Sequence, residues 1–424
     1  MKKQHICNVP HGSSIDIESK IRDDHLSPIN SKGVANIDLL VICHAYNNFQ
    51  KDSIESLYGY FKEINALVRT NPFAELSSII PWLQLERFRK GNKLDLTRKP
   101  QNVNVISTPL CYFPGDIFYK SIGDGHFNAV KKQIDRKKLR LDVVHSHFTW
   151  SAGYVGARLK EEYNVPFVVT AHGYDIYSLP FRDNGWRKKI EYVLNTADHI
   201  ITVSHSNLGC IKKLDISTPV TVIPNGFSSG LFYPRDPLEC KKRLNLPQDK
   251  KIILSVGNLV PVKGQRYLIE AMQKIIRERK DILCVIVGSG KLRTKLERQI
   301  HSFGLDDYVL LAGGKPHDAI PLWMNACDLF VLPSLNEGNP TVMFETLGCG
   351  KPFVGTRVGG VPEVITSDDY GLLVEPADPE DLAEKIQVAL DREWGRETIL
   401  RYAERYAWEN IAKEIMKVYE KVLE

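Results

Sequence analysis

The chain of 424 residues has no apolar run long enough to cross a bilayer. Its opening stretch, MKKQHICNVPHGSSIDIESK, carries Lys2 and Lys3 but no apolar segment behind them, so it does not read as a secretory signal. The eight cysteines form no C-x-x-C pair and no zinc-site pattern with histidine, which speaks against a zinc or disulfide framework. Cys43, Cys284 and Cys327 lie in apolar runs and read as buried thiols of a reducing, cytoplasmic compartment. No Asp-x-Asp closes a strand, so no essential divalent ion is expected, and no tightly bound cofactor either. Basic residues come without a recognition motif or an aromatic platform, which sets nucleic acid aside as a partner.

What is present is an ordinary globular composition, 43% hydrophobic and 25% charged, at a length that favours two domains over one core. The net charge of +5 is unevenly shared. Residues 1–230 hold 29 Lys and Arg against 22 Asp and Glu, whereas the remainder holds 27 against 29. The excess gathers in RFRKGNKLDLTRK (Arg87–Lys99), KKQIDRKKLR (Lys131–Arg140) and RKK (Arg187–Lys189). Such runs are ordinarily solvated faces; the functional alternative is peripheral attraction to an anionic membrane surface or acceptor.

Residues 1–36 are polar and read as an N-terminal extension. From Asp38 onward, apolar β-branched runs alternate with helical patterns: DLLVIC, INALVRT, NVNVIST, DVVHSHF, FVVTAH, HIITVS and VTVIP. Continuous apolar strands separated by helices predict a parallel sheet covered on both faces. PNGFSSGLFYPRDP (Pro224–Pro237) interrupts the pattern, and a second series follows: KIILSVG, LCVIVG, YVLLAG, DLFVLPS, PFVGT and GLLVEP. The expected division is therefore 37–228 and 229–404, two doubly wound α/β domains facing one another across a cleft. A final amphipathic segment, about 405–424, breaks near Trp408. In such sheets ligands collect outside the carboxyl ends of the strands.

Most of the suggestive motifs fall at those ends. NEGNPTVMFETLGCGKP (Asn336–Pro352) contains Glu337 and Glu345 with seven residues between them. Two carboxylates invite a glycoside-hydrolysis reading. The same stretch also predicts a helix start, with Asn339 as N-cap, Pro340 as first helical residue and Gly350 as stop. The N–H groups near Gly338, Thr341 and Val342 then form an anion site at the positive end of the helix dipole. In SVGNLVPVKGQRYLIEAM (Ser255–Met272) a glycine turn sets Lys263 before a helix as a point charge for phosphate. VIVGSGKLRTKLE (Val285–Glu297) places Gly288 and Gly290 at a strand end, where backbone approaches closely. It is not a phosphate-binding P-loop, since the first glycine is missing and Leu292 replaces the required Ser or Thr. In the first half, VVTAHGYDIYS puts His172, Gly173 and Asp175 after a strand, and IPNGF supplies Asn225. His145 and His147 share one strand face, but no third ligand stands at metal-binding spacing.

Taken together these motifs resemble glycosyltransferase family 4, from about Asp38 to the C-terminus and most densely over Ser255–Pro376. HGYD, IPNG, GNLVPVKG, GSG, PSLNEGNPTVMFETLGCGKPFVGTRVGGVPEV and GLLVEP occur in the family's order, and Glu337 and Glu345 match its E-(seven residues)-E signature. The resemblance implies the GT-B architecture, two facing Rossmann-like domains, with the C-terminal helix crossing back to the first. It implies a retaining transferase that moves a hexosyl group from a nucleotide-diphosphate sugar to an acceptor hydroxyl, in polysaccharide biosynthesis or on a lipid-linked or cell-surface glycan. By that resemblance Glu345 holds the nucleotide ribose, Glu337 the hydroxyls of the transferred sugar, and Lys263 the diphosphate. Backbone N–H groups over Asn339–Val342, including Pro340's neighbour Thr341, share the phosphates, with Gly288, Gly290, Gly338, Asn258 and Arg266 as further donor-side residues. His172 meets the sugar from the acceptor side, alongside Gly173, Asp175 and Asn225. Three departures stand out: Asn258 where relatives often have arginine, CHAYNNFQKD (Cys43–Asp52) in place of a glycine-rich loop, and Ser228 where aspartate is common. The rival readings are a sugar-nucleotide epimerase of the same architecture and a non-catalytic sugar-nucleotide-binding partner of a membrane complex.

Overall fold

A computed structural model describes residues 36–78, 88–113 and 115–424, so the N-terminal extension up to residue 35 lies outside the described residues. Seven apolar runs become the strands β1 (Asp38–Cys43), β2 (Glu63–Thr70), β3 (Val103–Pro109), β4 (Val143–His147), β5 (Phe167–Ala171), β6 (His199–Thr202) and β7 (Val220–Val222). They form one sheet in the order β3-β2-β1-β4-β5-β6-β7, with every pairing parallel. Six further runs become β8 (Lys251–Val256), β9 (Ile282–Val287), β10 (Val309–Gly313), β11 (Leu329–Leu332), β12 (Phe353–Thr356) and β13 (Gly371–Val374). Their order, β10-β9-β8-β11-β12-β13, repeats the doubly wound pattern, again all parallel.

The reason these segments become strands is burial on both faces. All six residues of β1 are buried, and Val, Ile and Leu side chains of β1, β4 and β5 divide between two apolar clusters on opposite sides of the first sheet. The second sheet is sandwiched in the same way. In each sheet the strand order reverses at one place, between β1 and β4 and between β8 and β11. The loops leaving those strands open a crevice, and this is where a doubly wound sheet binds its ligands.

The chain crosses from one unit to the other twice, at adjacent points. Phe227 N–H donates to Tyr406 O and Trp408 N–H donates to Phe227 O, both at 3.0 Å. The break expected near Trp408 is real: a helix ends at Ala403, a short 3-10 turn follows, and a last helix runs Trp408–Leu423. Trp408, Ile411, Ile415, Met416 and Tyr419 of that helix complete one apolar face of the first sheet. Tyr419 lies edge-on to Phe61, and its hydroxyl sits 2.5 Å from His145 Nδ1, while His145 Nε2 sits 2.7 Å from Thr170 Oγ1. Burial and the neighbouring His147 and His172 keep His145 neutral by holding its pKa well below the ordinary value. One ring nitrogen therefore donates and the other accepts. Replacing Tyr419 with Phe strands one buried ring nitrogen, at a cost of about 1–3 kcal/mol. A lower urea midpoint for Tyr419→Phe than for the parent protein is the expected reading.

Candidate active site

The stretch after β11 holds most of the donor-side candidates. Its helix runs Thr341–Gly348, one residue later than the sequence suggests, and the cap position belongs to Pro340 at φ −72°, ψ 119°. Asn339 does not cap the helix. Its side-chain oxygen accepts from Asn225 N–H at 2.8 Å, and Asn225 Nδ2 donates back to Asn339 O at 2.8 Å, so this asparagine is recruited across the cleft instead. Met343, Phe344 and Leu347 anchor the helix in the second core, and Gly350 ends it at φ +68°, a conformation glycine adopts without strain. Its first turn leaves N–H groups without intrahelical acceptors.

Both glutamates are buried, which removes the possibility that Glu345 is a surface helix residue. Glu345 is 4% exposed and receives His317 Nε2 at 2.9 Å. Glu337 is 8% exposed; its Oε1 receives Lys263 Nζ and Ser334 Oγ, each at 2.6 Å. Lys263 ends a 3-10 turn, Pro261–Lys263, just before the helix Gln265–Glu278. The turn between them is Gly264, at φ +65°; a Cβ there would lie 1.9 Å from Pro333 O, so only glycine allows the β8 loop to settle against the β11 loop. Gly288 and Gly290 serve a similar closeness: their Cβ atoms would lie 1.9 Å from Gly257 O and 2.5 Å from Leu259 O. These two glycines stack the β9 loop on the β8 loop.

Two expected donor-side residues, Arg266 and Asn258, are exposed. Arg266 is exposed on its helix, with its guanidinium 4.3 Å over the ring of Tyr267, to whose hydroxyl it donates. The buried residue of this turn is Gln265, whose side chain donates to Asn258 O at 3.0 Å, leaving Asn258 itself exposed.

From the first unit, the loop after β5 comes directly against the β11 loop. A Cβ on Gly338 would lie 2.3 Å from His172 O and 3.0 Å from Gly173 Cα. His172 is buried; its Nε2 sits 3.0 Å from His147 Nδ1 and its ring lies 4.7 Å from that of Phe148. Burial first, then the charge of His147, keeps the His172 pKa well below 6.5, with a hydrogen bond to Asn225 acting weakly the other way. The imidazole is thus neutral at physiological pH. Asp175 does not face the cleft as an acceptor-side group. It is 3% exposed and accepts from the N–H groups of Thr149 (2.8 Å), Gly173 (2.8 Å) and His172 (3.2 Å), so it fixes the loop that carries His172.

Two residues that the sequence does not single out join the site. His317, on the turn after β10, is paired with Glu345 although 28 positions separate them. Asp52, on the helix Asn48–Glu55 after β1, approaches the same pair from the opposite unit. Burial lowers the His317 pKa most as a single influence, but Glu345, Asp52 and Asp318 outweigh it and raise the pKa above 6.5. Burial pushes Asp52 up to about 7, with Glu345 and Glu55 adding to the rise and His317 and Lys51 opposing it. A carboxyl raised in this way stabilises the fold in its protonated form; that contribution is whole below pH 4 and is lost as pH rises through about 7. Asp52→Asn should therefore melt above the parent at pH 8, by about 2 °C or more, and show no such gain at pH 4 in paired thermal scans.

Comparison with known proteins gives the following. Residues 238–414 match the family described as glycosyl transferases group 1, and residues 89–229 match glycosyltransferase family 4. The chain is 32% identical to an uncharacterized glycosyltransferase of Methanocaldococcus jannaschii over 286 residues, which cover 66% of this chain and 76% of that one. It is 29% identical to an N-acetyl-alpha-D-glucosaminyl L-malate synthase of Bacillus anthracis, over 66% of this chain and 74% of that one. Among solved structures, the sucrose-phosphate synthase of Thermosynechococcus elongatus superposes with a TM-score of 0.74 at 22% identity, over 91% and 99% of the two chains. The HepE protein of Anabaena, solved in complex with UDP, superposes with a TM-score of 0.69 at 20% identity, over 91% and 100%.

Proposed function

Because the chain belongs to the group 1 glycosyl transferases, and is a glycosyltransferase of GT-B fold, we propose that it transfers a hexosyl group from a nucleotide-diphosphate sugar to an acceptor hydroxyl with retention of configuration. The observation that carries the donor side of this reading is the pair of buried carboxylates on either side of one helix start, each held by a basic side chain from another strand end. A nucleotide-diphosphate sugar has that sequence of demands: hydroxyls at one end, a dianion in the middle, hydroxyls at the other. UDP in the complex of the Anabaena neighbour is in keeping with it.

In this reading the N–H groups opening the helix Thr341–Gly348 and the Lys263 ammonium take the diphosphate, where negative charge grows as the bond to the sugar breaks. Glu345, oriented by His317, accepts from the ribose, and Glu337 accepts from the sugar. The bond between the anomeric carbon and the diphosphate oxygen breaks, the acceptor oxygen bonds to the same carbon, and the acceptor proton passes to the departing diphosphate. No side chain is assigned as a covalent nucleophile. His172, neutral and next to Gly338, is suited to hydrogen-bond the sugar or acceptor at the point where the two units meet. The proposed route assigns no step to a tightly bound cofactor or an essential metal ion. We place the enzyme in the cytoplasm, acting on a glycan or lipid-linked acceptor in polysaccharide biosynthesis, with the basic runs of the first half meeting an anionic membrane surface. No helix among the described residues is long and apolar enough to span a membrane.

The two glutamates separate experimentally. Glu345→Ala should weaken binding of the free nucleoside diphosphate roughly 10- to 100-fold in calorimetry, the range for losing a hydrogen bond to a charged group. Glu337→Ala should leave that binding nearly intact while lowering transfer by a similar factor. A reversed pattern means the ribose and sugar roles are exchanged; no binding of any UDP-, GDP- or ADP-sugar to the parent protein overturns the reading.

A further inference from the structure

The first unit contains a second concentration of charge that the donor site does not use. Arg69 is the penultimate residue of β2 and is 5% exposed; Lys93 follows it in space and is 7% exposed. Lys93 Nζ donates to His44 O and to Arg69 O, both at 2.8 Å, which fixes the two cations beside each other. Arg69 donates through one terminal nitrogen to Ser151 Oγ at 2.6 Å, and its Nε has no partner. Its guanidinium carbon lies 5.3 Å from the ring centre of Tyr112 and 5.5 Å from that of Tyr119. Among the described residues neither cation forms an ion pair. The acid that acts on Tyr119 from this side, Asp175, has its carboxylate committed to three backbone N–H groups.

Two adjacent buried cations without a counter-charge are an expensive arrangement, because burial removes the water that would stabilise each. The strain registers on Lys93, whose pKa is brought down to about 7 by burial first and by Arg69 second. Both side chains line an open cavity of about 550 Å³, together with His44, Tyr112 and Tyr119. Buried polar atoms without partners collect around it: Arg69 Nε, His44 Nε2 and the Tyr112 hydroxyl. The cavity lies close to the reaction cleft. The His44 ring stacks on Phe148 at 4.9 Å and 4°, and Phe148 in turn lies 4.7 Å from His172. One aromatic ring thus separates the cationic cavity from the histidine at the meeting point of the two units.

We infer that this cavity seats an oxyanion, a phosphate or carboxylate carried by the acceptor, on Arg69 and Lys93. The inference rests on the proposed transfer reaction and specifies its acceptor: a molecule whose reactive hydroxyl lies a short reach from an anionic group. Arg69 supplies donors with fixed directions, Lys93 a point charge, and Tyr112 a hydroxyl, a set suited to a tetrahedral or planar oxyanion. The aromatic walls leave room for the sugar or lipid glycerol that bears it.

The test uses the full chain with inorganic phosphate as probe, at constant ionic strength, followed by thermal shift and calorimetry. Phosphate should stabilise the parent protein, and the increment should add to the separate increment from UDP or GDP. Arg69→Met should lose phosphate affinity by about tenfold or more while keeping the nucleotide increment. Without phosphate this variant should melt no lower than the parent, since it removes a charge that no carboxylate among the described residues pairs with; a merely structural arginine would lower the melting point and leave the phosphate response unchanged. If Arg69→Met does not fold, Lys93→Gln carries the same comparison. Sedimentation with vesicles of phosphatidic acid in phosphatidylcholine tells the two sources of the anion apart. Vesicle binding that Arg69→Met abolishes identifies a lipid-borne phosphate; a phosphate increment without vesicle binding identifies a water-soluble acceptor. Absence of a phosphate increment in the parent, or its persistence in both variants, overturns the inference. A missing nucleotide increment alongside an intact phosphate increment counts against the donor reading instead.

Discussion

The contact between Gly338 and the His172–Gly173 backbone governs the geometry of everything else in the cleft. No side chain fits between these segments, since a single added carbon would lie 2.3 Å from a carbonyl oxygen. The strand ends of two separate sheets can therefore meet backbone to backbone, and the reciprocal bonds of Asn225 and Asn339 hold them in register. With that spacing fixed, His172 comes beside the loop that carries Glu337, and Asp52 comes within electrostatic reach of Glu345 and His317. Loosening the glycine contact would separate groups that belong to different domains.

Much of this is legible in the sequence, and the reason is specific. Strands buried on both faces are written as runs rich in Val, Ile and Leu, so each of the thirteen strands among the described residues coincides to within a residue with a run that the sequence displays. Glycine at a strand end is equally visible, because a tight turn or a close approach of two backbones is what usually demands it there. Partners are not visible in the same way. The sequence displays Lys263 and Glu337 as charges 74 positions apart, and only the packing of the β8 loop on the β11 loop makes them an ion pair. His317 lies in GGKPH, a stretch whose side chains carry no signal until Glu345 is brought against it. Asn339 has the local signature of a capping residue next to a helix, whereas its side chain is taken by a chain segment 114 positions away. Arg69 is inconspicuous inside INALVRT, where it reads as the polar end of a strand.

The two units handle buried charge differently. In the second, the carboxylates at the cleft are matched: Glu337 with Lys263, Glu345 with His317. The Glu337–Lys263 pair gains a further hydrogen bond from Ser334, the condition under which buried charge is tolerated. In the first, burial disfavours the charged forms of His44 and His126, and Arg69 and Lys93 form no ion pair among the described residues. The asymmetry follows the composition, since the basic excess of the chain resides in its first half.

The last helix gives the molecule a particular order of assembly. Trp408, Ile411, Ile415, Met416 and Tyr419 cover β1, the first of the described strands, yet they follow the whole second unit in the chain. During synthesis the first unit emerges with this apolar face bare, and it stays bare until the second unit has been completed. The nascent protein must keep that surface from sticking elsewhere while the whole second unit is made. Closing the first sheet with a helix made after the second unit thus makes synthesis of the second unit a requirement for a sound first one.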